Sequence, residues 1–387
     1  MKKTLLAFAI LAAFATTASA QSSVTIYGII DAAAVYTNNQ TVLDSTGKPT
    51  AASGANFKMD AGQLLTSRWG FKGSEDLGGG MKANFNLEGT LANDTGTAGS
   101  SYGGGFVNTG TNASLFDRLA WVGLSGDFGS VTLGRNNILG VDSVGLADPI
   151  SLAHAGTNPN VAFGALNVGA FFGGFGTNQG GTALRQNNSI KYISPLMSGF
   201  GGAAMYGFGE KAGDVSASTY AGVSGFFTDG TNGAALSYAK MKDVNNAATL
   251  TGWAAGAKYK VLPSVALRAT YAQNVVDGAI KIDALPSANN RKIAVIGLGV
   301  DYSLSAQTTL TGAYYNTKRS GDVDGKADQY IGMAKYAFSK RTTAYASLTY
   351  AKAGSAAPQD TSLGLIIANG SGNSTATRTA VGILHSF

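Results

Sequence analysis

The sequence predicts an all-β fold, a sixteen-stranded antiparallel transmembrane β-barrel with short periplasmic turns, long extracellular loops and an inward-folded third loop. Three observations support it. The chain begins with an export signal, its segments alternate apolar and polar residues at a period of two, and tight turns alternate with longer polar stretches. After the export signal no segment approaches the roughly 18 consecutive apolar residues of a spanning helix. A chain that crosses a membrane without such helices must do so as closed strands.

The start of the chain has the features of a Sec-dependent signal peptide. The basic segment Met1-Lys-Lys precedes an apolar run from Leu5 to Ala15, and Ala18-Ser-Ala20 provides a small-residue cleavage pattern. We therefore expect residues 1–20 to be removed on export. Residues 21–387 contain no linker, charge block or shift in composition, which predicts one continuous barrel domain.

The composition excludes several classes of protein. Charged residues make up 13% of the chain, against roughly a quarter in ordinary soluble domains. The formal net charge of +6 falls to +4 without the two signal-peptide lysines, a mild balance that does not favour a nucleic-acid partner. The absence of cysteine excludes a disulfide framework, a thiolate metal site and a cysteine nucleophile.

The first strand shows the alternation of a barrel wall. From residue 24 to 34 the even positions are apolar or small, whereas Thr25, Tyr27 and Asp31 occupy odd positions. Eleven residues at about 3.3 Å each, tilted by about 40°, rise roughly 28 Å, which matches the apolar band of about 25 Å around such barrels. A buried soluble core could also alternate, but soluble sandwiches seldom place so many Gly, Ala and Tyr on the apolar face.

Turn signals give the number of strands. Seven short turns are predicted, at 75–80, 126–130, 194–199, 228–233, 262–264, 304–307 and 338–341. Eight longer polar stretches separate them, near 38–60, 90–114, 136–187, 209–217, 242–249, 275–291, 317–326 and 353–376. Seven turns and eight loops connect sixteen strands, with both termini on the periplasmic side. A barrel of this size is too wide for its own side chains to fill, so we expect water inside it.

The third loop is long enough to need a surface to pack on. It runs from Asn136 to Asn187, far beyond the usual length of a structureless connection. The interior of the barrel is the nearest surface, and an inward fold would set Asp142 and Asp148 opposite basic residues of the wall. The alternative is an external loop that shields the mouth of the barrel.

Several segments, taken in order, resemble the general-diffusion porins of Gram-negative outer membranes, in particular the betaproteobacterial type. The segments are Ser23-Val-Thr-Ile-Tyr-Gly-Ile-Ile-Asp31, Ser67-Arg-Trp-Gly-Phe-Lys-Gly-Ser-Glu-Asp-Leu-Gly-Gly-Gly80, Arg118-Leu-Ala-Trp-Val-Gly-Leu124, Phe128-Gly-Ser-Val-Thr-Leu-Gly-Arg135 and Val381-Gly-Ile-Leu-His-Ser-Phe387. The resemblance implies a homotrimer whose barrels each pass small hydrophilic solutes and ions across the outer membrane without energy input. It also implies an eyelet formed by the third loop, and no cofactor. Outer-membrane lipid, lipopolysaccharide and the barrel-assembly machinery are further expected partners.

Basic residues of the wall are the candidates for a pore constriction. Arg68 and Arg118 lie on the polar face and match positions where family members have eyelet arginines. Arg135 has outward parity in a strict alternation, so we expect the strand end to re-aim it toward the lumen. We predict a weak anion preference, because fixed charges at a narrow point focus the field and guanidinium stays charged.

Further basic residues share lumen parity and could extend a basic ladder along the wall. They are Lys82, Lys191, Lys258 and Arg268. The plain alternative is that each is a solvated wall charge without a special role. At the other end of the chain, Phe387 closes a strand with Val381 and Ile383 on the same face, and we expect it to act as an assembly signal.

Other functions are less consistent with the sequence. A barrel enzyme would need a nucleophile with a histidine and an orienting group, and the chain has only His154 and His385, at opposite ends of the barrel. No nucleotide loop or metal-ligand cluster is present. The alternative that stays open is a substrate-specific outer-membrane channel that binds one class of solute.

Overall fold

The structure is a computed structural model of the chain, and it describes most of the residues from Ser23 onward. The described ranges are 23–45, 49–98, 114–153, 157–166, 184–278, 291–321, 323–368 and 371–387. The predicted signal peptide, residues 1–20, and His154 lie outside the described residues.

The described residues form a sheet of antiparallel strands. The strands are β1 (Ser23–Leu43), β2 (Pro49–Ala61), β3 (Arg68–Gly78), β4 (Met81–Ala92), β5 (Thr97–Ala98), β6 (Leu119–Gly126), β7 (Gly129–Asn137), β8 (Arg185–Ile193), β9 (Phe200–Gly207), β10 (Tyr220–Thr228), β11 (Gly233–Lys242), β12 (Ala248–Leu262), β13 (Val265–Gly278), β14 (Arg291–Ser303), β15 (Thr308–Ser320), β16 (Gly325–Ala337), β17 (Thr342–Ala353) and β18 (Thr375–Ser386). Each strand pairs with the next along the chain, except that β2 and β3 both pair with β1 and that β5 is bypassed between β4 and β6.

These eighteen strands occupy sixteen positions in the wall of the barrel, for two reasons. β2 pairs with the second half of β1 and β3 with its first half, so β2 and β3 form one interrupted wall strand. β5 is a two-residue strand that pairs with the end of β4, outside the wall ladder between β4 and β6. β1 also pairs with β18, which closes the ring. The predicted sixteen-stranded antiparallel barrel is confirmed, and each of the seven predicted turns overlaps a connection between consecutive strands, although β3 continues to Gly78 within the first of them.

The first predicted loop is mostly strand, which corrects the expected boundaries of 38–60. β1 continues to Leu43, β2 begins at Pro49, and the two pair from Ala32 and Ala61 outward. Backbone hydrogen bonds do not require an apolar face, so the hairpin continues past the apolar part of the strands. Residues 37–53 show no alternation from which a strand could be predicted, whereas Phe57 and Met59 do alternate with Lys58 and Asp60.

The two faces of the wall differ in exposure. On β1, Val24 and Ile26 are 68% and 62% exposed on the outside of the barrel, while Asp31 and Val35 are fully buried on the inside. This follows from the period of two, because successive side chains of a strand point to opposite faces. No helix in the described part of the chain is long and apolar enough to cross a membrane.

The closing seam of the barrel ends on the last residue. Phe387 and Gly28 exchange two backbone hydrogen bonds, of 3.1 and 3.2 Å. The Phe387 ring lies over Gly28 so closely that a Cβ at position 28 would meet its Cζ at 2.4 Å. Glycine at this position therefore provides the space that the terminal ring occupies.

In the described part of the chain, two loops contain helical segments. α1 (Leu139–Ala147) and a π-helical turn (Asn160–Gly164) belong to the third loop. α2 (Pro358–Thr361) and a 3₁₀ turn (Ser362–Gly364) belong to the last loop, which precedes β18.

Candidate functional site: a charged constriction inside the barrel

The third loop contacts the inner wall over a long arc. The backbone N–H of Leu139 donates to the Tyr220 hydroxyl of β10 at 3.2 Å. The Gln329 amide of β16 donates to the Thr157 carbonyl at 2.7 Å. These wall side chains are buried and have inward parity. The described part of the loop therefore lies inside the barrel, against the strands from β8 to β16.

Asp148 holds this loop together and to the wall. Its carboxylate accepts hydrogen bonds from Asn158 at 3.0 Å, Asn160 at 2.8 Å and the Tyr315 hydroxyl of β15 at 3.0 Å. Burial raises the pKa of the Asp148 carboxyl, while these hydrogen bonds and one from the Leu152 N–H act to lower it. The side chain is fully buried, so Asp148 offers no charge to solutes in the lumen.

Asp142 lies in α1 and pairs with the wall. The Lys191 ammonium of β8 is 2.5 Å from the Asp142 carboxylate and also donates to the Asn137 carbonyl at 3.0 Å. The Lys191 side chain is 8% exposed and that of Asp142 is 43% exposed. Lys191 is thus committed to anchoring the loop, while one side of Asp142 remains open to water.

Small residues on β12 let the loop approach the wall. A Cβ added at Gly256 would lie 2.8 Å from the Ser143 carbonyl oxygen and 3.0 Å from the Ala147 Cβ, both in α1. Gly252 is covered in the same way by the Leu166 side chain. The inner face of β12 is therefore the surface on which α1 packs.

Arg68 and Arg118 meet at a shared acid, Glu88 of β4. The Arg118 Nε is 2.5 Å from the Glu88 carboxylate, and one Arg68 terminal nitrogen is 4.0 Å from it. The Tyr27 hydroxyl of β1 donates to the same carboxylate at 3.0 Å and to Asn86 at 2.8 Å. Glu88 is thus the centre of a charged cluster on the inner wall.

Arg135 joins the same region through a break in the ladder. The pairing of β7 with β8 shifts register between Gly134 and Asn136, and Gly134 has a φ of +131°. Such a bulge re-aims the side chains that follow it. The Arg135 Nε donates to the Asp117 carbonyl at 2.6 Å, and its guanidinium also donates to Asn187.

Two acids and one base of this cluster, Glu88, Asp117 and Arg185, were not predicted from the sequence. Arg185 begins β8, is buried, and interacts electrostatically with Arg118, Arg135 and the carboxylates of Glu88 and Asp117. Alternation along the strands could have indicated two of them. Glu88 lies on the same face of its strand as Lys82, and Arg185 lies on the same face as Lys191. We call Arg68, Arg118, Arg135 and Arg185 the arginine group. It lies on the wall from β3 to the start of β8, and the loop contacts begin at β8.

The remaining ladder candidates take different positions. Lys82 is exposed at the periplasmic end of β4, and Lys258 lies directly opposite Arg268 on the inner face of β12 and β13. The Arg268 Nε pairs with Asp301 at 2.8 Å, so part of the positive charge on that wall is compensated. No group of three or more potential metal ligands of the His, Cys, Asp and Glu types occurs among the described residues.

Comparison with known proteins places this barrel in a family. The family model described as "Gram-negative porin" matches residues 7–355. Outer membrane porin protein 32 of Delftia acidovorans is 31% identical over 402 aligned residues, covering 100% of both chains. Major outer membrane protein P.IB of Neisseria lactamica is 26% identical and also covers 100% of both. The chain belongs to the Gram-negative porins, and its location is the outer membrane.

A solved structure supports the same assignment. The anion-selective porin from Comamonas acidovorans superposes with a TM-score of 0.74 and 26% identity, covering 95% of this chain and 100% of that one. Sequence and fold thus agree that the barrel is a passive diffusion channel.

Proposed function

We propose that this porin conducts small hydrophilic solutes and ions with a weak anion preference, and that the arginine group sets it. The observation that supports this is the composition of the charged cluster. Four guanidinium groups share one part of the inner wall with two carboxylates, Glu88 and Asp117. Their formal sum is positive, and low-dielectric walls focus the field of fixed charges into the lumen.

The preference is expected to be weak because Glu88 neutralises part of this charge. The anion selectivity stated for the related porin from Comamonas acidovorans is consistent with the proposed sign. Asp148 does not enter this proposal, since its carboxylate is buried in the loop. Lys82, Lys258 and Arg268 are proposed as weaker contributors along the path, because Lys82 is exposed at the rim and the pair of Lys258 and Arg268 is partly compensated by an acid.

The test is the reversal potential of single channels in a salt gradient. The variant Arg68→Ala with Arg118→Ala is expected to lose the anion preference, because Glu88 is then left without its two nearest cations. Lys340→Ala with Arg341→Ala is the matched control, since it removes two exposed basic residues at a periplasmic turn. Cation preference in the unmodified protein, or equal effects of both variants, would contradict the proposal. A small conductance blocked by one class of solute would favour the substrate-specific channel.

We further propose that the porin is a homotrimer in contact with lipopolysaccharide, assembled through recognition of its last strand. Ala32 and Ala34 of β1 are small outward residues beside the seam, and such positions suit close contact with a second copy. Phe387 is available to an assembly factor only before it docks on Gly28. Closures in three equal conductance steps are expected from the trimer, and single-step closure would contradict it.

A further inference from the structure

A row of lysines crosses the outer face of the barrel where β14 to β17 approach their extracellular ends. Lys318, Lys326 and Lys352 are exposed, and Lys292 is partly exposed. All four have the parity of the exposed apolar residues on the same strands, such as Ile296 of β14. They therefore face outward and not into the lumen.

The strand register makes these lysines neighbours. Lys318 of β15 lies directly opposite Lys326 of β16. Lys292 and Lys352 occupy diagonal positions on the flanking strands, since their own partners are Ser320 and Asp328. Directly opposed residues of an antiparallel pair have Cβ atoms roughly 5 Å apart, and diagonal ones are about 7 to 8 Å apart. The four ammonium groups thus lie on adjoining strands within reach of a single ligand.

A row of tyrosines fixes the depth of the lysine row in the membrane. Tyr314, Tyr330 and Tyr350 lie directly opposite one another on β15 to β17, with ring centroids 5.2 and 6.4 Å apart. Outward-facing tyrosines mark the boundary between hydrocarbon and headgroups in barrels of this kind. Lys318 and Lys326 lie four residues beyond this row, about 13 Å along the strands. They are therefore at the depth of the external headgroups.

Described residues compensate the charge of the row only in part, because Asp328 lies directly opposite Lys352 on the same face. Lys318, Lys326 and Lys352 form no salt bridge with any residue that the structure describes. Asp328 accepts hydrogen bonds from the Tyr314 hydroxyl at 2.7 Å and from Asn316 at 2.8 Å, and Asp360 accepts one from the backbone N–H of Lys326 at 2.6 Å. Like charges directly opposite each other destabilise a strand pair. An anion from outside the chain would relieve this repulsion.

We propose that the lysine row and the adjoining tyrosine row bind the phosphorylated sugar headgroup of lipopolysaccharide in the external leaflet. The lysines match its phosphates in charge, and clustered lysines at a membrane surface bind anionic headgroups. Asp328 and Asn316, between the two rows, offer polar groups to sugar hydroxyls. The inference deepens the proposal that lipopolysaccharide is a partner of the porin, and it names the surface involved.

The test is a binding titration of the folded porin in detergent with a bisphosphorylated glucosamine-disaccharide lipid, the membrane anchor of lipopolysaccharide. Lys318→Gln with Lys326→Gln is expected to weaken binding by about tenfold or more, and Lys318→Arg with Lys326→Arg to preserve it. The control, Lys260→Gln with Lys340→Gln, removes the same charge from exposed positions beside the periplasmic turns and is expected to leave binding unchanged. The same lipid without its phosphates is expected to bind weakly to every variant.

Three outcomes would overturn the proposal. They are equal binding of the dephosphorylated lipid, an equal loss in the control variant, and dissociation of the trimer by the two Gln substitutions without lipid. The last result would assign this face to a contact between subunits. Single-channel conductance and reversal potential of Lys318→Gln with Lys326→Gln are expected to equal those of the unmodified protein. A failure of the pore proposal would therefore appear in those recordings, and a failure of the lipid proposal in the titration.

Discussion

Among single residues, Glu88 is the acid at the centre of the charged cluster. It accepts a hydrogen bond from Tyr27 and pairs with Arg118 and, at 4.0 Å, with Arg68. A buried cation needs such a partner, because an ionised group removed from water is stable only when paired. The carboxylate therefore holds the two guanidinium groups in place and reduces their field at the same time.

Glu88→Gln is expected to strengthen the anion preference, the opposite of the effect of removing arginines. Removal of one partly screened charge changes the energy of an ion nearby by about 1 kcal/mol, which corresponds to roughly a fivefold change in the ratio of anion to cation permeability. The measurement is the reversal potential in a salt gradient.

The control for this substitution is Glu75→Gln, which removes an exposed carboxylate near the periplasmic turn after β3. It is expected to leave the reversal potential unchanged. An unaltered or weaker anion preference in Glu88→Gln would show that the Glu88 charge does not act on the permeating ions.

Among the structural elements, the third loop and the inner face of β12, on which it packs, determine the shape of the lumen. α1 packs on Gly256, Lys191 holds Asp142, and Asp148 connects the loop to Tyr315. These contacts involve strands far apart in sequence, so the loop has one position set by several independent anchors.

Gly256→Val is expected to displace α1 from the wall. Its side chain would enter the space of Ser143 and Ala147, and overpacking of this kind costs about 1 to 3 kcal/mol. We expect a lower thermal unfolding temperature together with a changed single-channel conductance, because the displaced helix lies inside the lumen.

The matched control is Gly225→Val in β10, where an added Cβ would meet nothing within 4 Å. This substitution is expected to change neither the unfolding temperature nor the single-channel conductance. If Gly256→Val unfolds at a lower temperature with unchanged conductance, then α1 does not border the conducting path.

At the scale of the whole molecule, the barrel depends on closure between its first and last strands. β1 pairs with β18 over Ile29–Thr37, and Phe387 extends that ladder by one more pair with Gly28. Closure leaves no strand edge in the membrane, where an unpaired backbone group would lack any hydrogen-bond partner.

Gly28→Val is expected to weaken the seam by forcing the Phe387 ring off the wall. The expected loss is about 1 to 3 kcal/mol in the stability of the folded barrel, seen as a lower unfolding temperature and a smaller folded fraction after refolding. Gly332→Val, at a wall position where an added Cβ meets nothing within 4 Å, is the control.

A double-mutant cycle with Phe387→Ala separates this contact from general damage. If the valine side chain introduced at position 28 acts by displacing the terminal ring, the second substitution should add little to the first. Fully additive losses would contradict a direct contact between position 28 and the terminal ring.

The face on which a charged residue lies could be predicted from the alternation along its strand. The residue with which it pairs could not, because that depends on the register between strands. Arg68 and Arg118 were placed on the inner face because alternation is a local property of a strand. Glu88 has the same parity, but its position between those two arginines depends on the register of three strands. Strict alternation would turn Arg135 outward, and the bulge at Gly134 provides the physical reason why it lies with the other arginines instead.

Alternation and turn signals depend only on residues close together in the chain, so they are sufficient to predict a sixteen-stranded barrel. The tertiary structure decided which charges meet. Lys191 anchors a loop, Asp148 is enclosed within it, and Arg185 joins the arginine group, although the sequence shows each of them only as a charged residue. The reason is that burial and pairing of a charge depend on residues brought together across the closed wall, and chain order does not specify those contacts.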